Sequence, residues 1–146
     1  MGVIYEMENR TSLQEIVDAV KIKIPTEDLT GKENHLAQLL KSATARCKRK
    51  TYDKIDFYYD KELQEGYFYN SISEPTIELL SMYIVKDYTA WQFSILNNRK
   101  QYLGTNAFNK IPSYKDRYDF LMNQLEYWNN EIAKFEMEFP DYSEDR

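Results

Sequence analysis

The chain has 146 residues, 42% of them hydrophobic, and a formal net charge of −5 from 24 acidic and 19 basic side chains. That length supports one folded core, and the acidic balance argues against a protein built chiefly to grip nucleic-acid phosphates. The single cysteine, Cys47, excludes an intramolecular disulfide and a cysteine zinc site, and it fits a reducing compartment.

Glu6 and Glu8 interrupt the N-terminal stretch, so no secretory signal is expected. Gly2 follows Met1, but Glu6 stands where a myristoylation signal needs Ser or Thr. No run approaches the roughly 20 apolar residues of a membrane span.

The first predicted helix covers Leu13 to Lys21. Ser12 and Glu15 have the spacing of a capping box, and Leu13, Ile16, Val17 and Val20 make one apolar face. Pro25 and the polar residues after it end the element. A second helix is predicted from Lys32 to Arg49, where Thr30 and Glu33 repeat the capping-box spacing. Its buried stripe is Leu36, Leu39, Leu40, Ala43 and Cys47. On that stripe Cys47 reads as a small, inert hydrophobe.

Residues 51–70 hold Tyr52, Phe57, Tyr58, Tyr59, Tyr67, Phe68 and Tyr69. Aromatics favour strands, and Lys61–Gly66 supplies a turn, so a short β-hairpin is expected around residues 52–70. The imperfect alternation leaves an ordered loop as the other reading. The chain has 13 tyrosines; they fit half-wet interfaces and equally the rim of a small core.

Two long amphipathic helices follow. The first is predicted from Pro75 to Asn98, capped by Ser73, with Ile77, Leu80, Ile84, Tyr88, Trp91 and Ile95 on one seam. The second is predicted from Tyr114 to Glu138, capped by Ser113, with Asp116 and Asp119 near the positive end of its dipole. Its seam is Leu121, Leu125, Trp128, Ile132, Phe135 and Phe139; Asn123, Asn130, Lys134 and Glu138 lie opposite, and Pro140 stops the run. The two seams are expected to bury each other in an antiparallel helix hairpin, with Trp91, Trp128 and Phe135 in the core. The connection Asn98–Pro112 reads as a long loop anchored by Tyr102, Leu103, Phe108 and Ile111.

The expected fold is therefore mainly α. It is a small helical bundle in one domain over residues 1–146, with a solvated acidic tail from about residue 140. From Ile111 onward there are nine acidic side chains against four basic ones.

Residues able to do chemistry are sparse. The one histidine, His35, reads as a surface residue, with no cysteine or carboxylate spacing to complete a metal site. The four glycines are scattered, so no phosphate loop or dinucleotide fingerprint is present. Glu62 with Glu65, and Glu136 with Glu138, read as solvated surface. No enzyme, cofactor or metal is expected. The concentrated basic run is Arg46, Lys48, Arg49, Lys50 and Lys54. It complements the negative end of the second helix's dipole; the functional reading is a contact for an acidic partner or for DNA.

The order of these features is familiar. An aromatic segment is followed by Ser73-Glu74-Pro75-Thr76-Ile77-Glu78-Leu79-Leu80-Ser81-Met82-Tyr83-Ile84-Val85 running to Trp91, then a polar segment, then Ser113-Tyr114 opening a helix with Leu121, Leu125 and Phe139. This pattern, from Ile55 to Pro140, resembles the head–tail connector (head completion, or adaptor) proteins of tailed bacteriophages. The resemblance implies a structural virion protein at the phage neck, assembled in the cytoplasm of the host bacterium. Its partners would be copies of itself in a ring, usually of twelve, the portal protein, and the next neck or tail component. DNA would pass through the channel without sequence-specific binding, and no membrane would be involved. Tyr102, Leu103, Phe108 and Ile111 are then candidate subunit-interface residues, because a ring needs two different faces that meet head to tail. The alternative is a small helical module that binds protein or nucleic acid through the run at 46–54.

Overall fold

The computed structural model describes residues 10–47 and 55–138. They form helix α1 (Leu13–Lys23), helix α2 (Glu33–Cys47), strands β1 (Phe57–Asp60) and β2 (Glu65–Phe68), and helix α3 (Glu74–Leu103). A short helix α4 (Thr105–Asn109) and helix α5 (Pro112–Glu138) complete them. The architecture is mainly α with one small antiparallel hairpin, as the sequence predicts.

The capping box that opens α1 is formed: the Ser12 hydroxyl accepts from the Glu15 amide, and the Glu15 carboxylate accepts from the Ser12 amide at 2.8 Å. The box expected at α2 is absent. The Thr30 amide donates instead to Asp28 Oδ1 at 3.0 Å, and the Lys32 carbonyl accepts the first helical bond, from Leu36. Asp28 wins because a short carboxylate two residues back closes a local turn before the helix begins.

The hairpin pairs Phe57 with Phe68 and Tyr58 with Tyr67. Asp60 Oδ1 accepts from the Glu62 and Leu63 amides, and Gln64 turns the chain at φ 55°. Thr11 ties the hairpin to the body. Its carbonyl accepts from the Phe68 amide at 2.8 Å, and its hydroxyl accepts from the buried Ile72 amide at 3.0 Å.

The central element is α3. Its first half is enclosed on every side, with Leu79 to Val85 all buried. Two different layers cover it. The stripe Ile77, Leu80, Ile84, Tyr88 faces α1 and α2: Lys32 Nζ donates to the Tyr88 hydroxyl at 2.6 Å, and His35 meets the Tyr88 ring. The opposite stripe faces α5, where the Tyr83 hydroxyl donates to the Glu136 carboxylate and Phe93 stacks near Tyr118 at 4.8 Å. The antiparallel helix hairpin is thus present, but the expected seam of α3 is turned away from α5. The paired short helices take it, because their own apolar faces have no other partner of that size.

This arrangement corrects two expectations. Trp91 at the edge of the α1–α2 layer and Ile95 beyond it continue the stripe and are 42% and 50% exposed rather than buried. The segment Asn98–Pro112 is not a loop. Helix α3 runs on to Leu103, because Arg99, Lys100 and Gln101 are good helix formers. The break comes at Gly104, whose φ of 86° and ψ of 152° lie in a region open almost only to glycine. Ser113 does not cap α5 but sits in its first turn; the Ile111 carbonyl accepts from both the Tyr114 and Lys115 amides. Pro112 suits that start, since a first-turn amide has no helical partner to lose. Phe139, Pro140 and the acidic tail lie outside the described residues.

Candidate functional site

Helices α3 and α5 form an arm whose inner half belongs to the body and whose outer half stands beyond α1 and α2. A helix of 30 residues is about 45 Å long, whereas α1 has 11 residues and α2 has 15. The short helices cannot cover the whole of α3. The uncovered stripe carries Trp91, Ile95 and Tyr102, spaced so that all three share one helix face.

The elbow at the end of the arm gathers the four predicted interface residues, which behave differently. Tyr102 is 89% exposed, and Leu103 and Ile111 are also exposed. Phe108 is fully buried under the elbow, against Tyr114 and Tyr118, with ring centroids 5.7 and 5.6 Å away. Phe108 therefore anchors the elbow and is not on the surface it shapes. Lys100 lies over the Tyr118 ring at 4.3 Å, and Arg99 donates to the Tyr114 hydroxyl at 2.8 Å. These contacts clamp α3 to α5 across Gly104, so the elbow presents Tyr102 and Leu103 from a fixed backbone.

Arg46, the described member of the basic run, is engaged within the fold. It pairs with Asp87 at 3.1 Å and lies over the Tyr83 ring at 5.6 Å, joining the end of α2 to α3. Lys48, Arg49, Lys50 and Lys54 lie outside the described residues. Cys47 is fully buried; burial, followed by the nearby Glu136 charge, pushes its thiol up to about 12, with Arg46 opposing. Burial, then the hydrogen bond and charge of Glu136, hold the Tyr83 hydroxyl far above its ordinary range. His35 is half-buried, with the Trp91 indole edge-on at 4.6 Å. This contact fixes the start of α2 against α3.

A groove of about 510 Å³ lies between α1, the first turn of α2 and β2, lined by Leu13, Val17, Leu36, Tyr67 and Glu33 among others. Arg10 stands at its edge, over the Tyr67 ring at 5.1 Å and the Tyr69 ring at 5.9 Å. The groove's floor is aliphatic, from Leu13, Val17, Leu29 and Leu36, and charged and polar side chains, among them Arg10, Lys21, Glu33 and Glu65, also line it. Among the described residues, no group of three or more His, Cys, Asp or Glu side chains is placed to hold a metal ion. None of the described helices is long and apolar enough to cross a membrane.

The exposed stripe at Trp91 and Ile95 is what sequence reading missed. The signal was present: the apolar spacing runs from Ile77 to Tyr102, longer than either short helix could cover. The chain matches no protein-family model, no curated protein and no solved structure.

Proposed function

We propose that this chain is a structural subunit that assembles with copies of itself and with neighbouring proteins, as a ring at the neck of a tailed phage between portal and tail. The observation that carries the reading is the outer half of the arm. Ile95 and Tyr102, with the half of Trp91 that His35 does not cover, form an apolar stripe that the subunit's own small helices leave open. Exposed aromatic and aliphatic side chains in a row are costly in water and are the ordinary material of protein–protein contacts. The elbow is held by ring and hydrogen-bond contacts, so the surface is presented without much ordering cost on binding.

The resemblance of residues 55–140 to head–tail connectors supplies the setting for such a subunit. A channel lined by acidic subunits lets DNA slide without sticking, and the net charge of −5 suits that task. The test is the mass of the protein alone and mixed with portal protein of its own phage, by native mass spectrometry. A closed multimer, alone or on the portal, is the expected result. A protein that stays at 17.5 kDa and leaves the portal unbound would overturn the reading.

A further inference from the structure

We infer that the head-to-tail contact between copies is made by the elbow of one subunit seated on the β-hairpin of the next. The inference rests on the reading above that the chain assembles with itself; it adds which two surfaces meet.

Charge sets the elbow apart from the rest of the molecule. The chain is acidic overall, yet residues 98–115 contain Arg99, Lys100, Lys110 and Lys115 and no acidic side chain. Extending to residue 119 adds Asp116 and Asp119, the latter paired to Lys115 at 3.6 Å, and Arg117, which Glu27 of the body holds at 2.6 Å; the elbow stays net positive with both pairs counted. The elbow is therefore a positive end on a negative molecule. Its exposed apolar residues, Tyr102 and Leu103, sit among those charges.

The hairpin has the opposite character. Residues 55–66 hold Asp56, Asp60, Glu62 and Glu65 against Lys61 alone. Leu63 projects from its turn at 68% exposure, and Tyr58 is 43% exposed on β1. Each surface thus joins exposed apolar side chains to a surplus of one sign of charge, and the two surpluses are complementary. Such pairing steers two surfaces together and fixes their register, and the apolar residues supply the burial.

The two surfaces sit on different parts of the subunit. The hairpin is held to the body through Thr11 and through Tyr59, whose hydroxyl donates to Asn34 at 2.5 Å. The elbow closes the far end of the arm, beyond the reach of α1 and α2. A contact between unlike patches leaves one of each free on every pair, so it propagates until a ring or filament forms. A two-fold dimer would satisfy the charges only if both elbows reached both hairpins at once; one built on the elbow alone would bring the two positive ends together.

The experiment is a charge exchange. Lys110→Glu with Lys115→Glu reverses the elbow, and Glu62→Lys with Glu65→Lys reverses the hairpin. All four positions are exposed, and circular dichroism and Tm check that each variant folds. Assembly is read by light scattering at low and high salt, alone and with portal protein. Each reversed variant is expected to fall to the mass of one subunit. The two variants mixed should assemble together, since the intact elbow of one meets the intact hairpin of the other and the reversed elbow meets the reversed hairpin. The chain carrying all four changes should regain the wild-type mass.

Wild-type assembly by either single reversal would overturn the inference and leave the ring reading standing. Loss of assembly without recovery in the fourfold variant would also overturn it. Salt-sensitive binding of duplex DNA by the wild type, lost in the elbow variant while assembly is unchanged, would assign the elbow to nucleic acid instead. A wild type that never associates, with or without portal, would remove both the inference and the reading beneath it.

Discussion

Arg117 of α5 and Glu27 of the α1–α2 connection, 90 residues apart in sequence, meet at 2.6 Å, and Gln92 of α3 donates to the same carboxylate at 3.0 Å. This three-way junction ties the arm to the body where the α1–α2 layer ends. Burial of Glu27 raises its pKa, but the hydrogen bonds from Arg117 and Gln92 and the Arg117 charge outweigh it, so the carboxyl lies below its ordinary value of 4.5. A carboxylate depressed in the folded state stabilises the fold above its unfolded pKa. That contribution is lost as pH falls below about 4.5 and through the folded value. Arg117→Ala is therefore expected to cost about 1 kcal/mol near neutrality, the upper end for a partly exposed pair. The gap between wild type and variant should close on acidification. Urea titrations at pH 7 and pH 3 check this; an equal gap at both would contradict it.

The two tryptophans should separate sharply. Trp128 is 7% exposed in the core, and Trp128→Ala is expected to destabilise by about 3–5 kcal/mol. Trp91 is 42% exposed and touches His35 and Tyr88, so Trp91→Ala should cost about 1 kcal/mol through lost ring contacts. Chemical denaturation of the two variants measures the difference under conditions where the protein is a single subunit. Equal losses would mean that the stripe is covered within the subunit.

Thr11 tests the seat of the hairpin. Thr11→Val keeps the shape and removes the acceptor of the buried Ile72 amide. An orphaned buried donor costs about 1–3 kcal/mol. Thr11→Ser retains the hydroxyl and should lose less. Tm of the two variants decides, and a Val variant as stable as the Ser variant would show that the bond contributes little.

Cys47 should be silent to thiol reagents in the folded protein. A thiol pushed up to about 12 holds almost no thiolate at pH 8, and its side chain is fully covered. Iodoacetamide should label it only after denaturation, as mass spectrometry would show. Labelling of the native protein at the rate of a free thiol would contradict its placement.

Much of this fold was legible from local chemistry. The Ser12–Glu15 box, the stripe from Leu36 to Cys47 and the hairpin at Phe57–Phe68 follow from short-range spacing, and all are present. The partner of each helical face was not legible. The spacing at Ile77–Ile95 says that a face is apolar, not which element covers it, and α1 with α2 buries it as far as Tyr88 and reaches only the edge of Trp91. The elbow was misread because Asn98 resembles a helix end, whereas Gly104 alone has the backbone freedom for the break. Leu103 and Ile111 were legible as apolar residues off the core seams, and Tyr102 as one beyond the predicted end of its helix; Phe108 looked the same in sequence, and only packing distinguishes it.

The central claim is that the open stripe of α3 is a subunit face. The most direct test is light scattering over a wide concentration range on wild type and on a variant with Ile95→Asp and Tyr102→Asp, both with portal protein and without. Tyr102 is exposed and Ile95 half-exposed, so the variant should fold with only a small loss in Tm, which circular dichroism checks. The account predicts that wild type rises well above 17.5 kDa while the variant stays at that mass. A variant that assembles as wild type does, or a wild type that remains a single subunit in every mixture, would contradict it.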